Sequence, residues 1–405
     1  MPHSLDEGQE VAAVGMSEHV FSVGRRMVLF FGFPLVITLL MMPSIIRLAG
    51  KYGCIDHPGE RRVHTNPTPR WGGLAFFIGI LPIFFFMNLD NRLISYLAAS
   101  SLLVLVGAID DWKQLGYAAK LFATLAATSV VVFGGDVVLR SIGTYGSFGQ
   151  ISLGPAAIPF TYLCIVGVTN AMNLIDGLNG LAGGISFIAS LFIAIVAYVS
   201  GNQVLAGLCV AFAGAIGAFL RYNMLAKAHV FMGDSGSLFL GFSLAFFSVT
   251  LTQDARCRVE PMLPVLLLLV PIFDTLRVMA LRLFTGKNPF KADTNHLHHL
   301  LLKAGCSHRK SVLLLWSITA LFGLAAMLIH SRGTSTPYLI AVLTGSIFLS
   351  IFADALGRRT HETASRTQPQ IQVRDHEAVR TGATISGEME PPTEECGPKA
   401  ALGTR

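Results

Sequence analysis

Apolar blocks about as long as a bilayer is thick constrain this chain more than any other feature. They fall near residues 27–48, 71–89, 93–109, 117–134, 156–173, 181–200, 203–222, 235–252, 262–284, 312–330 and 336–353. A helix needs about 20 apolar residues to cross the hydrocarbon core, so the chain reads as about eleven spans. An all-α polytopic membrane protein is expected. Only 13% of the residues are charged, against about 25% in a soluble domain. The six cysteines show no CxxC spacing, which argues against a zinc site or a disulfide framework. No nucleic-acid partner is expected.

If successive spans alternate in direction, the loops sort into two sets. One set, made of 48–70, 110–117, 173–181, 221–235, 284–311 and the tail, carries most of the loop Lys and Arg residues. The other carries Arg92, Arg140, Arg256, Arg258 and Arg332, with Arg25 and Arg26 in the N-terminal segment. Loops rich in Lys and Arg stay in the cytoplasm, so the first set is placed inside. Three parts follow: an N-terminal segment (1–26), a transmembrane domain (27–355) and a cytoplasmic tail (356–405). The tail is poor in large apolar residues and is expected to be disordered. In the outer loop 134–156, two β-type runs at 137–142 and 150–153 flank a Gly-rich turn. They predict a small periplasmic hairpin.

Every unusual polar cluster falls in the inner set, whereas unrelated structural uses of Asp, Asn and His would scatter over both faces. Asp110-Asp111 ends the third block. Adjacent carboxylates at a helix C-terminus face the negative end of the dipole, and charge close to membrane depth is costly unless it serves a site. The bland alternative is a solvated loop with Lys113 as partner. Asn170, Asn173 and Asp176 recur every three residues and share a helix face. Gly177 and Gly180 behind them permit a turn or close approach to a ligand, although a plain Gly/Asn turn would look similar. Gly233-Asp234-Ser235-Gly236-Ser237 opens the eighth block. Asp234 there is either an N-cap or a hard-cation ligand beside a phosphate-binding helix end. The other carboxylates on that face favour the cation. His296-Leu-His298-His299 has no zinc pattern. It suits imidazoles that donate to phosphate or carry protons, with incidental loop histidines as the bland reading. The first inner loop offers Arg61, Arg62, His64 and Arg70 as phosphate contacts, or as contacts to anionic lipid. Carboxylates, Mg2+, amides, histidines and a basic loop suit phosphoryl transfer.

In order along the chain, Thr-Pro-Arg-Trp-Gly-Gly (68–73), Asp110-Asp111, Asn170-x-x-Asn173-x-x-Asp176-Gly, Phe231-Met-Gly-Asp-Ser-Gly-Ser237 and Asn288-Pro-Phe…Asp293…His296-x-His298-His299 resemble the motifs of the polyprenyl-phosphate N-acetylhexosamine-1-phosphate transferases, glycosyltransferase family 4. The resemblance implies transfer of a sugar-1-phosphate from a UDP-N-acetylhexosamine to undecaprenyl phosphate, with UMP released and Mg2+ or Mn2+ as cofactor. It implies that Asp110 and Asp111 deprotonate or orient the lipid phosphate and that Asp234 binds the metal. Asn173, Asp176 and Asn179 would contact the nucleotide or diphosphate, as would Arg70 in the first motif. His296, His298 and His299 would contact donor phosphates or sugar. Asn179 stands where the family often has a second Asp. The His-x-His-His pattern is similar to the branch that initiates O-antigen, teichoic-acid or exopolysaccharide synthesis with a GlcNAc-type donor. The peptidoglycan branch, which transfers phospho-MurNAc-pentapeptide, typically shows three consecutive histidines. A site on the cytoplasmic face of a bacterial inner membrane is implied, and a homodimer is left open. Two other classes are weighed: an ion-coupled transporter, whose site would lie near the midplane, and a membrane scaffold without chemistry.

Overall fold

The computed structural model describes residues 6–57, 67–224, 228–254, 257, 259–288, 293, 295–330 and 334–367, with side chains between Gly24 and Arg358. Lipid offers the backbone no hydrogen-bond partner, so long apolar runs close their bonds internally as helices. Nine described helices are long and apolar enough to cross a membrane, judged by length and composition. They are α1 (Asp6–Lys51), α3 (Asn91–Lys113), α4 (Tyr117–Ser129, continued as a π turn to Gly134), α5 (Ala157–Ile175), α6 (Leu181–Val199), α7 (Gln203–Asn223), α8 (Gly233–Gln253), α12 (His308–His330) and α13 (Thr336–Thr367). The first and last extend beyond their apolar blocks, so helix occupies residues assigned to the N-terminal segment and the tail. The tail from 368 onward, expected to be disordered, lies outside the described residues.

The other two expected spans are interrupted. Helix α2 (Gly72–Ile80) tightens into a 3-10 turn, Leu81–Phe86, with proline at its start. The block 262–284 divides at Leu268 into α9 (Met262–Leu267) and α10 (Leu269–Phe284). Pro271 has no N–H to offer the Leu267 carbonyl, which accounts for a break there. A short helix, α11 (Leu297–Lys303), follows α10.

Helix α8 is the centre of the bundle: 89% of its apolar window is buried against protein, compared with 22% for α13. Its ring-bearing side packs into an aromatic core. Tyr96 of α3 stacks on Phe246 at 4.5 Å between centroids and shares a 2.8 Å hydrogen bond with Ser243. Phe76 and Phe212 approach Phe239 at 5.9 and 5.6 Å.

Two small ribbons flank the bundle. Strands β1 (Ile55–Asp56) and β2 (Thr68–Pro69) pair antiparallel and bracket the basic loop, whose Arg61, Arg62 and His64 lie outside the described residues. The outer hairpin is present but later than expected in its first strand: β3 (Ser141–Thr144) pairs with β4 (Gln150–Ser152) around an irregular register. Glu260 holds this hairpin by accepting from the Thr144 N–H at 3.0 Å and from the Ser335 hydroxyl.

Candidate active site at one end of the bundle

The segment joining β2 to α2 is stitched by backbone to the start of α8. Phe231 N–H donates to Pro69 O (2.8 Å), Gly72 N–H to Phe231 O (2.9 Å) and Gly73 N–H to Met232 O (2.9 Å). The contact is close enough that a Cβ on Gly73 would sit 2.7 Å from the Ser235 carbonyl carbon, and one on Gly107 would meet the Ser235 Cα at 2.5 Å. Helices α2, α3 and α8 therefore meet backbone to backbone where the acidic residues emerge. Trp71, in the left-handed region at φ 74°, reaches across to donate from Nε1 to Ala108 O at 3.0 Å.

The adjacent carboxylates of Asp110 and Asp111 have different tasks. Both are buried. Asp111 turns to α8, where Oδ1 accepts from Asp234 N–H at 2.8 Å and Oδ2 from Ser235 N–H at 3.2 Å and Ser235 Oγ at 2.9 Å. It caps α8 from another helix and places negative charge at that helix's positive end. Asp110 turns to α4, accepting from Gly116 N–H at 3.2 Å and pairing with Lys120 Nζ at 3.4 Å. Lys120 also donates to Asp234 Oδ2 at 2.8 Å. The second Asp234 oxygen accepts from Asn173 Nδ2 at 2.6 Å, and the same amide donates to Ser237 Oγ at 2.7 Å. Ends of α3, α4, α5 and α8 thus share one charge network.

Beside it opens a cavity of about 410 Å³, within the range usual for small-molecule sites. Asp111, Asn173, Asp176, Asn179, Asp234, Arg70 and His299 line it, all of them residues singled out by the sequence. Arg70 is held by Asp56 at 2.6 Å, a constraint supplied by the β1–β2 ribbon. Asn179 contributes its carbonyl to His308 Nε2 at 3.2 Å. Asp176 accepts no hydrogen bond from the described residues. Burial, and then the charges of Asp234 and Asp111, push its pKa up to about 8.

The histidines do not form one face. His296 precedes α11 and is buried, with Nδ1 2.9 Å from Asp274 Oδ2. His298 is buried, neither ring nitrogen has a partner among the described residues, and its ring lies against Gly177. Burial, followed by the neighbouring His299, pushes its pKa down to about 3. Of the three, only His299 lines the cavity. Asp110 and Lys120 stand behind the cavity wall rather than in its lining.

The sequence reading missed Lys120, Asn223, Asp274 and His308. Asn223 joins two of the motifs, accepting from Gly180 N–H at 2.5 Å and donating to Val230 O at 2.9 Å. Lys120 carried a usable signal, because a lysine at the mouth of an apolar run is a functional candidate by default.

The donor set fits a divalent cation of the Mg2+ type. No cage of three or more His, Cys, Asp or Glu side chains stands ready among the described residues. Mg2+ does not need one, because it keeps waters and takes one or two carboxylates together with substrate phosphate. Asp176, with no hydrogen-bond partner among the described residues, and Asp234, whose Oδ2 is held by the Lys120 ammonium, would supply the hard oxygen ligands.

Comparison with known proteins agrees with this geometry. Residues 93–252 match the family model described as Glycosyl transferase family 4. Over 335 residues the chain is 34% identical to the probable undecaprenyl-phosphate N-acetylglucosaminyl 1-phosphate transferase of Bacillus subtilis (strain 168), covering 82% of this chain and 92% of that protein. The chain belongs to glycosyl transferase family 4. Within the family it is 33% identical to the decaprenyl-phosphate N-acetylglucosaminephosphotransferase of Mycobacterium tuberculosis (strain ATCC 25618 / H37Rv), over 77% of this chain and 85% of that one. It is 31% identical to the undecaprenyl-phosphate alpha-N-acetylglucosaminyl 1-phosphate transferase of Escherichia coli (strain K12), over 74% and 81%. The matched segment of this family member runs from α3 to α8, the helices that carry the acidic network.

Proposed function

We propose that this protein transfers N-acetylhexosamine-1-phosphate, specifically GlcNAc-1-phosphate, from a UDP-sugar to undecaprenyl phosphate and releases UMP. It would be the first membrane step in making a cell-surface polysaccharide. The observation that carries the reading is the convergence of Asp110, Asp111, Lys120, Asn173 and Asp234 beside a cavity also lined by Asp176, Arg70 and His299. Relatives named for the same reaction cover most of the chain. The excess of Lys and Arg in the loops at this end supports a cytoplasmic site in a bacterial inner membrane. That is where a soluble nucleotide-sugar meets a lipid phosphate.

In this reading an oxygen of the lipid phosphate attacks the donor phosphorus that bears the sugar. The new P–O bond forms as the bond to the bridging oxygen breaks, and that oxygen leaves on UMP. Mg2+, bound by Asp234 and Asp176 with donor phosphate, would neutralise charge on the diphosphate. Arg70 and His299, which also line the cavity, orient the donor. In this reading Asp110, behind the cavity wall, orients the acceptor phosphate through the Lys120 ammonium that it holds. Asp111 spends its carboxylate on three donors and so acts by holding Asp234 in place. A carboxylate engaged in this way is a poor nucleophile, which favours direct attack over an aspartyl intermediate.

The test is UMP release from purified protein with undecaprenyl phosphate and Mg2+, screening UDP-GlcNAc, UDP-GalNAc and UDP-MurNAc-pentapeptide. UDP-GlcNAc should be turned over fastest. Preference for UDP-MurNAc-pentapeptide would move the protein to the peptidoglycan branch. Solute uptake into proteoliposomes with no UMP from any donor would favour a transporter.

A further inference from the structure

The arm that carries the three histidines is fastened to the bundle by one buried carboxylate. Asp274, in α10, is 1% exposed. Its Oδ2 accepts from His296 Nδ1 at 2.9 Å, and its Oδ1 accepts from Leu297 N–H at 2.9 Å and from Arg277 Nη2 at 3.2 Å. His296, the residue before α11, provides no side-chain cap for that helix, so the Leu297 amide depends on Asp274. Two arginines of α10 grip the same arm further along. Arg277 donates to Asn295 O. Arg282 donates to Asp293 Oδ2 and Asn288 O, both at 2.6 Å.

Beyond this clasp the imidazoles form a column. The rings of His296 and His298 are 5.8 Å apart and nearly parallel, and those of His298 and His299 are 4.2 Å apart. The last ring, His299, lines the cavity. The middle ring is wedged under Gly177, whose own turn carries Asp176 to the cavity.

We propose that Asp274 is a positioning residue for the transfer reaction: by fixing His296 with Nδ1 protonated and holding the Leu297 amide, it sets the height of the imidazole column and so the place of His299 against the donor. This rests on the transferase reading. Asp274 touches neither substrate in the proposal. It works as outer partners of ligating groups do, where loss of one typically costs about 10- to 100-fold.

A double-mutant cycle tests it, with UMP release as readout. Asp274→Asn alone should lower kcat/KM for UDP-GlcNAc by about 10- to 100-fold and leave KM for undecaprenyl phosphate unchanged. In a His299→Ala background the same substitution should cost less than about 3-fold, because residues acting through one another are not additive. His296→Asn, whose Nδ2 can still donate to Asp274, should retain several-fold more activity than His296→Ala. This comparison decides the matter even if Asp274→Asn folds poorly. Additive losses in the cycle, or equal losses for His296→Asn and His296→Ala, overturn the inference. No UMP from the wild type with any donor removes the transferase reading and this inference with it. UMP from the wild type with additive losses removes the inference alone.

Discussion

Gly233→Ala probes the site at its tightest point. Gly233 has φ 72°, in the left-handed region. An alanine Cβ there would fall 2.5 Å from Asp111 Oδ1 and 2.6 Å from its Cγ, well inside contact distance. A non-glycine residue in this conformation costs about 1–2 kcal/mol. The carboxylate must also swing off three donors, the amides of Asp234 and Ser235 and the Ser235 hydroxyl. Each hydrogen bond to a charged group contributes about 1.5–3 kcal/mol. Keeping even one of them leaves a deficit of about 4 kcal/mol or more, which lowers stability or misplaces Asp234. About 1.4 kcal/mol is tenfold, so kcat/KM for UMP release should fall by at least about 10²-fold in protein that still inserts and elutes as a single species. The assay is steady-state UMP release in detergent, with a thermal melt run in parallel. Gly233→Ala with wild-type kcat/KM and an unchanged melt would refute the argument that Asp111 holds α8 through a gap only glycine leaves.

Lys120→Met should abolish UMP release by more than about 10²-fold, since it leaves Asp110 and Asp234 facing each other without their shared cation; near-normal turnover would show the ammonium is not needed. Asp176 has a pKa raised to about 8; it keeps its proton in the folded chain while the unfolded chain loses it near pH 4. In Mg2+-free buffer its contribution to stability should therefore decline from about pH 4 to about 8 and level off above that. Asp176→Asn should gain melting temperature relative to wild type over the same window, and a pH-independent gap would contradict the assignment. Gly177→Ala should reduce turnover as much as His298→Ala does, because the added methyl would collide with that ring; kinetics on both variants compare them directly. Glu260→Gln should lower the melting temperature by loosening the outer hairpin while leaving kcat/KM unchanged, because Glu260 lies at the far end of the bundle from the acids.

Much of the fold was legible because membrane crossing is written as run length. Each apolar block became helix, and the two that broke contain Pro82 and Pro271. The site was legible as parity: motifs in alternate loops must share a face, and Asp111, Asn173, Asp176, Asp234 and His299 do meet there. Single polar residues at or inside apolar runs were harder to read. The charge of Lys120 could have flagged it, but neither it nor Asp274 carries a spacing signal, and the partners Asp234 and His296 stand 114 and 22 positions away. The motif spacing did not say which imidazole reaches the cavity, because α11 begins at Leu297, one residue after His296, and the three rings are not carried by one helix. The hairpin was found by its turn but misplaced at its first strand, since β-type residues before Ser141 were buried against helices instead of being paired.

The backbone stitching of Gly72 and Gly73 to Phe231 and Met232 has a consequence for biogenesis. Those glycines leave the ribosome long before their partners do, so the short helix they begin must wait in the bilayer with its amides unanswered by α8. A nascent chain halted anywhere before Met232 holds Asp111 of α3 without the helix end that it caps. The acidic network is thus assembled late, when the eighth helix enters.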